Sequence, residues 1–128
     1  PDEESEPWLQ RLAAPAGAAW RVGRKLRRGD AEVAVSLPAL PPGAGHAVIV
    51  DDIASTGTTL VATARALREA GVSRVDALVV HAVFAAGAEE ALRAAGIARV
   101  VSTDTIPHAS NAIGVAALVA SAFATAET

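Results

Sequence analysis

The chain of 128 residues contains no cysteine, which excludes disulfide bridges, thiolate catalysis and cysteine metal sites. Aromatic residues make up only 3% of the chain, whereas 52% of its residues are hydrophobic, so the core must be built from Ala, Val, Leu and Ile. This composition is typical of a buried parallel sheet flanked by helices with small side chains. The two tryptophans, Trp8 and Trp20, are too few and too far apart for a base-stacking surface.

Long apolar segments and a surplus of basic residues are also missing. The most apolar run, residues 112–124, falls short of the roughly 20 residues that span a bilayer, and we expect it to form a buried helix. The net charge of −3 argues against nucleic acid or an acidic membrane as the main partner. No charged and apolar leader opens the sequence, so the cytoplasm is the expected location. The length fits a single domain over residues 1–128.

Strand patterns and helix patterns alternate along the chain. This alternation predicts an α/β fold, with a mainly parallel sheet, helices on both faces and ligands bound at the carboxyl ends of the strands. Asp2 is the expected cap of the first helix. The predicted strands are 18–22, 31–37, 47–50, 75–80 and 97–101, and the predicted helices are 3–12, 59–70, 88–95 and 113–124.

Residues 51–59, which we call the cradle, carry the most informative pattern in the sequence. Asp51 and Asp52 follow an apolar strand, and their acceptor oxygens suit a pair of vicinal sugar hydroxyls. A hydroxyl-rich turn with one glycine then presents backbone N–H groups where a helix begins, which attracts phosphate. Such turns also cap helices without binding a ligand, but the complete pattern favours a phosphosugar site. The residues of the turn are Ser55, Thr56, Gly57, Thr58 and Thr59.

A second group of charged residues, GRKLRRGD at 23–30, lies between two predicted strands. An isolated basic run is usually a solvated hairpin tip. Here an acidic chain concentrates its positive charge on a stretch bracketed by glycines, which favours a mobile cationic lid. Such a lid would neutralise charge on transferring phosphoryl oxygens and exclude water when closed.

The three histidines show no spacing that indicates a zinc site. His46 is expected to be exposed in a turn before a strand. His81 ends a predicted strand, and a structural role is favoured over that of a direct ligand. His108 is expected to enter a helix.

Five segments, in the same order, resemble the second half of ribose-phosphate pyrophosphokinases, which are also called phosphoribosyl diphosphate synthetases. The archaeal-like branch is the most similar, because its cradle also reads Ser-Thr-Gly. The resemblance covers nearly the whole chain and implies that an amino-terminal half is missing. The segments are PDEES at the start, K-x-R-x-GD-x-EV-x-VSLP at 25–38, VDDIASTGTT at 50–59, VVHAVFAAGA at 79–88 and STDTIPH at 102–108.

The resemblance implies a type I phosphoribosyltransferase-like fold and transfer of the diphosphoryl group of ATP to ribose 5-phosphate with Mg²⁺. Asp51 and Asp52 would hold ribose hydroxyls, and the turn from Ser55 to Thr59 would wrap the 5-phosphate. Lys25 and Arg27 would be the catalytic cations, and Asp2 would lie near the metal. The family also implies a homo-oligomer. Since much of the ATP site belongs to the missing half, we expect the isolated chain to be inactive.

Two other functions are compatible with the same cradle. A type I phosphoribosyltransferase would use it to bind the diphosphate product as a substrate, but we find no base-covering hood in the sequence. A non-catalytic binding or regulatory subunit would retain the phosphate site and depend on a partner for chemistry.

Overall fold

The computed structural model describes residues 5–28 and 32–126. Within them the chain forms four α-helices and six β-strands, as well as a short 3₁₀ helix at Ala14–Ala16. In chain order the elements are α1 (Glu6–Ala13), β1 (Arg24–Arg28), β2 (Glu32–Ser36), β3 (His46–Ala54), α2 (Thr58–Glu69), β4 (Arg74–Ala82), α3 (Ala88–Ala94), β5 (Ile97–Thr103), β6 (Asn111–Ile113) and α4 (Ala116–Ala126).

The central sheet has four parallel strands in the order β3-β4-β5-β6. Its register places Asp51 beside Val79 and Ile53 beside His81, so the carboxyl ends of β3 and β4 lie together. β1 and β2 form a separate antiparallel hairpin, which packs on α2 through β2. The α/β fold with a parallel sheet flanked by helices is therefore confirmed, and it is compatible with a type I phosphoribosyltransferase-like fold.

The core lies between the sheet and the helices α2 and α3. As the composition predicts, its buried side chains are aliphatic and mostly small, for example Leu60 and Ala64 of α2, Val75 and Val79 of β4, and Leu92 of α3. The helix that follows β3, α2, also packs against the helix that follows β4, α3. Burying these side chains supplies the main favourable term in folding.

The helices α2 and α3 and the strands β3, β4 and β5 begin within one residue of the predicted starts. β3 is longer than predicted and ends at Ala54 instead of residue 50, so the two aspartates lie inside the strand. α1 begins at Glu6 with Ser5 as its N-cap residue, and Asp2, the expected cap, lies outside the described residues.

The predicted strand at 18–22 is wrong, because those residues form no regular element. The side chain of Arg21 instead donates to the carbonyl oxygens of Trp20 and Ala39, at 2.7 and 3.1 Å.

The basic stretch at 23–30 was expected to be a loop between two strands. Its residues 24–28 instead form the strand β1. Pairing with β2 satisfies the backbone groups of this stretch, and that requirement outweighs its high charge.

The expectation of one buried helix at 113–124 is wrong in two respects. Residues 111–113 form β6, because the side-chain amide of Asn111 donates to the carbonyl oxygen of Thr103 at 2.6 Å and ties this segment to β5. α4 then begins at Ala116 and is exposed, with 72% of Leu118 and 72% of Phe123 accessible to solvent. Apolar composition alone does not bury a helix, since burial also needs a surface that covers it. None of the helices formed by residues 5–28 and 32–126 could span a bilayer.

Candidate functional site

The two aspartates of the cradle lie at the carboxyl end of β3 and project from opposite faces, as successive strand residues do. Asp51 is 9% exposed, on the same face as the core residue Ile49, whereas Asp52 is exposed. One oxygen of each carboxylate accepts the N–H of the next residue, Asp52 at 3.0 Å and Ile53 at 2.7 Å. The two carboxylates also interact with each other. Asp52 is the exposed one and is open to a ligand.

Burial raises the pKa of Asp51 above its ordinary value of 3.8, and the neighbouring Asp52 carboxylate adds to the rise. The hydrogen bond from the Asp52 N–H opposes this change, because it favours the ionised form. Because burial disfavours the charged form, an ionised Asp51 opposes folding. Conflicts of this kind between stability and chemistry are typical of functional sites.

The turn that follows β3 leads directly into α2 with its hydroxyl groups facing solvent. Ser55, Thr56 and Thr58 are exposed, and the hydroxyls of Thr56 and Thr58 lie 3.2 Å apart. Gly57 is the N-cap residue of α2, and no side chain caps this end of the helix. The first helical hydrogen bond runs from the Val61 N–H to the Gly57 carbonyl oxygen, at 2.9 Å. The N–H groups before it lack helical acceptors and are available to an anion.

The segment after β4 fixes the position of the turn. The Val83 N–H donates to the carbonyl oxygen of Ala54, and the Ala85 N–H donates to that of Ser55, each at 3.0 Å. Gly57 adopts a left-handed conformation at φ 75° and lies against Leu92 of α3, which is buried. A Cβ on Gly57 would lie 3.2 Å from the Leu92 Cδ2, so the start of α2 is packed directly onto α3.

The remaining predicted site residues lie elsewhere. Lys25 is exposed on β1, opposite Val35 of β2. Arg27 lies on the same strand with its backbone paired to Val33, but its side chain is not among those described. Asp2 lies outside the described residues, so its expected place near a metal stays a prediction. Among the residues with described positions, no group of three or more His, Asp or Glu side chains could hold a metal ion.

Sequence reasoning missed a polar cluster at the neighbouring strand end. His81 is the last residue but one of β4 and lies beside Ile53. Its Nδ1 lies 2.8 Å from the hydroxyl of Thr105, in the segment after β5. These two residues are 24 positions apart, and only the pairing of β4 with β5 brings them together. His46 is exposed as expected, although it is the first residue of β3 and does not lie in a turn before the strand. His108 was expected to enter a helix, which is wrong, because it lies between β5 and β6.

Comparison with known proteins gives the family context of this site. A family model described as a phosphoribosyl synthetase-associated domain matches residues 42–122, which include the whole cradle. The chain is 38% identical over 122 residues to ribose-phosphate pyrophosphokinase 1 of Archaeoglobus fulgidus, covering 95% of this chain and 43% of that protein. It is 33% identical over 122 residues to the ribose-phosphate pyrophosphokinase of Methanopyrus kandleri, covering 95% and 42%. The chain thus spans less than half the length of these relatives.

Replacing Gly57 by alanine should destabilise the protein more than the same change at Gly71. Both glycines have positive φ, at 75° and 91°, so each substitution costs about 1 to 2 kcal/mol in backbone strain. Only the Gly57 Cβ meets a neighbour, since nothing lies within 4 Å of a Cβ at Gly71. The free energy of unfolding, measured in urea, should fall by about 1 kcal/mol more for Gly57→Ala. Equal losses would contradict the close packing of α2 on Leu92.

Asp51→Asn should raise the melting temperature at neutral pH. Burial raises the pKa of Asp51 in the folded protein. The contribution of Asp51 to folding stability is therefore fully present below pH 3.8, where the side chain is protonated in both states, and is lost as the pH rises through the folded-state pKa. Asparagine keeps the acceptor for the Asp52 N–H without the buried charge. The gain, measured by thermal unfolding, should therefore shrink as the pH falls towards 3.8. Asp52→Asn, at an exposed position, is the control and should change stability by only about 0.5 kcal/mol. A lower melting temperature for Asp51→Asn at neutral pH would contradict this account.

Proposed function

The chain belongs to the phosphoribosyl synthetase-associated family, and we propose that it is the sugar-phosphate-binding domain of a ribose-phosphate diphosphokinase. The proposed reaction transfers the diphosphoryl group of ATP to the anomeric hydroxyl of ribose 5-phosphate, which gives phosphoribosyl diphosphate and AMP. The names of the relatives support this reaction. Because the chain spans less than half their length, we assign the sugar phosphate to it and the complete reaction to the longer protein.

One observation carries the proposal. An exposed carboxylate, Asp52, precedes by a few residues a helix start that no side chain caps. A sugar phosphate presents both complementary groups, since its hydroxyls are donors and its phosphate is an acceptor of hydrogen bonds. The cradle offers acceptors and then donors in that order along the chain.

We assign the 5-phosphate to the turn and the start of α2. The N–H groups of Thr58, Thr59 and Leu60 precede the first helical hydrogen bond and lack helical acceptors. The positive end of the helix dipole adds to their attraction for an anion. The exposed hydroxyls of Ser55 and Thr56 are further donors.

We assign the ribose hydroxyls to the aspartates. Asp52 is the exposed carboxylate of the pair, so it is the main acceptor. Asp51 is more buried, and its role is to hold the end of β3 and to add a second acceptor. Hydrogen bonds to a charged carboxylate are about twice as strong as neutral ones, which suits recognition of a small polar ligand.

We propose that Lys25 and Arg27 stabilise the diphosphoryl group as it transfers. Lys25 and Arg27 occupy alternate positions of β1. The hairpin packs on α2 through β2, which connects it to the helix whose first turn would hold the phosphate. Cations of this kind lower the barrier of phosphoryl transfer by offsetting charge that develops in the transition state.

Magnesium and ATP belong to the proposal for the longer protein. The described side chains do not form a complete metal site, and two adjacent aspartates fit a magnesium ion only as partial ligands. Mg²⁺ bound to ATP would supply charge neutralisation of the phosphates. The roles assigned to this chain itself use only its own side chains and backbone.

Both substrates are small phosphorylated metabolites. We keep the cytoplasm as the proposed location and a homo-oligomer as the proposed assembly.

Ribose 5-phosphate should bind to the 128-residue chain, and Asp52→Ala should weaken that binding by about tenfold or more, because a charge-assisted hydrogen bond is lost. Isothermal titration calorimetry gives both affinities. Glu69→Ala is a matched control, since Glu69 is also exposed and acidic but lies at the opposite end of α2. Its affinity should equal that of the wild type. Identical binding by the Asp52→Ala variant would contradict the assignment of the sugar to the cradle.

A further inference from the structure

His81 lies at the edge of the cradle, on the neighbouring strand. Its partner in the register is Ile53, the residue after Asp52. Paired strands lie about 4.8 Å apart, so the backbone of His81 is a close neighbour of the cradle. The segment that follows it stays beside the cradle, because Val83 and Ala85 donate to Ala54 and Ser55. The register also places His81 on the face of the sheet that carries Asp51, and its imidazole is partly exposed.

The hydrogen bonds around Thr105 determine which nitrogen of His81 carries the proton. The Thr105 hydroxyl lies 3.1 Å from the carbonyl oxygen of Val80, which can only accept, and 3.0 Å from the hydroxyl of Thr103. The Thr103 hydroxyl donates its own hydrogen to Val80 at 2.7 Å, so it is an acceptor for Thr105. A hydroxyl has one hydrogen, and whether Thr105 donates it to Thr103 or to Val80, the same oxygen accepts from the His81 Nδ1 at 2.8 Å. This is the arrangement in which every one of these contacts is a hydrogen bond. Nδ1 then carries the proton of the neutral ring, which leaves Nε2 as a lone-pair acceptor. Nε2 makes no hydrogen bond within the described part of the chain.

His108, in the segment between β5 and β6, provides a contrast. Its Nδ1 accepts the backbone N–H of Ser110 at 3.1 Å, and a backbone N–H can only donate. The neutral ring of His108 therefore carries its proton on Nε2, which lies 3.7 Å from a carboxylate oxygen of Glu89. The two histidines thus hold opposite tautomers, and only His81 leaves an acceptor without a partner beside the cradle.

We propose that His81 is a further sugar-binding side chain, whose Nε2 accepts a hydrogen bond from a hydroxyl of the sugar phosphate held by the cradle. This inference rests on the proposed function. An acceptor nitrogen pairs with a hydroxyl donor, whereas a phosphate oxygen would be repelled by its lone pair. His81 therefore acts on the sugar end of the ligand and adds a neutral acceptor to the two charged ones of Asp51 and Asp52. Thr105 is the positioning residue that fixes the tautomer.

The tautomers can be read from long-range proton–nitrogen NMR spectra of the histidine rings above neutral pH. An unprotonated ring nitrogen resonates far from a protonated one, so the expected pattern is unprotonated Nε2 for His81 and unprotonated Nδ1 for His108. Adding ribose 5-phosphate should move the Nε2 resonance of His81 towards that of a hydrogen-bonded nitrogen and leave both nitrogens of His108 unchanged. A protonated Nε2 on His81, or a resonance that the sugar phosphate does not move, would overturn the proposal.

Two substitutions separate the nitrogens. His81→Asn keeps a donor at the position of Nδ1 and removes the acceptor, so the melting temperature should be retained while affinity for ribose 5-phosphate falls about two- to tenfold. His81→Gln places an amide near the position of Nε2 and should retain more of the affinity. His46→Asn is the control, since His46 is exposed at the opposite end of β3. Unchanged affinity in His81→Asn, or an equal loss in the Asn and Gln variants, would overturn the role of His81.

The same titrations distinguish failure of this inference from failure of the proposed function. If the wild-type chain binds ribose 5-phosphate and Asp52→Ala weakens it while His81→Asn does not, only the inference about His81 is wrong. If the wild-type chain binds no ribose 5-phosphate, both the proposed function and the role of His81 are contradicted.

Discussion

The packing of Gly57 against Leu92 is the constraint on which the site depends. It sets where α2 begins, and with the hydrogen bonds from Val83 and Ala85 it holds the turn over the end of the sheet. Because packing on α3 already fixes the start of α2, the N–H groups of its first turn need no side-chain cap. The rigidity comes from the core and the adjacent segment, so the ligand-facing surface of the turn stays available. Such preorganisation lowers the entropic cost of binding.

The aspartates illustrate how the fold accommodates chemistry that opposes its stability. β3 continues through both residues, which places Asp51 towards the core and Asp52 towards solvent. Burial raises the pKa of Asp51, and the hydrogen bond from the next backbone N–H partly compensates for its charge. The stable sheet and the α2–α3 core offset this cost. His81 on the adjacent strand and Thr105 after β5 extend the row of polar groups without adding another charge.

Local patterns made the cradle and its helix predictable from sequence. The apolar strand, the aspartates and the start of α2 are contiguous, so strand and helix periodicity alone located them. The opposite directions of Asp51 and Asp52 were not predicted, because they depend on β3 continuing to Ala54 beside β4. β1 was hidden by its charged residues, and its pairing with β2 became visible only in the fold. The exposure of Leu118 on α4 could not be predicted either, since an apolar pattern does not specify which surface covers it.

The account depends most on the phosphate of the ligand meeting the first turn of α2. Amide-resolved NMR titration of the 128-residue chain with ribose 5-phosphate, beside free ribose, tests this directly. We predict that the largest shifts occur at the N–H groups of residues 57–60 and that they require the phosphate. Shifts of equal size with free ribose, or shifts concentrated away from the cradle, would contradict the account.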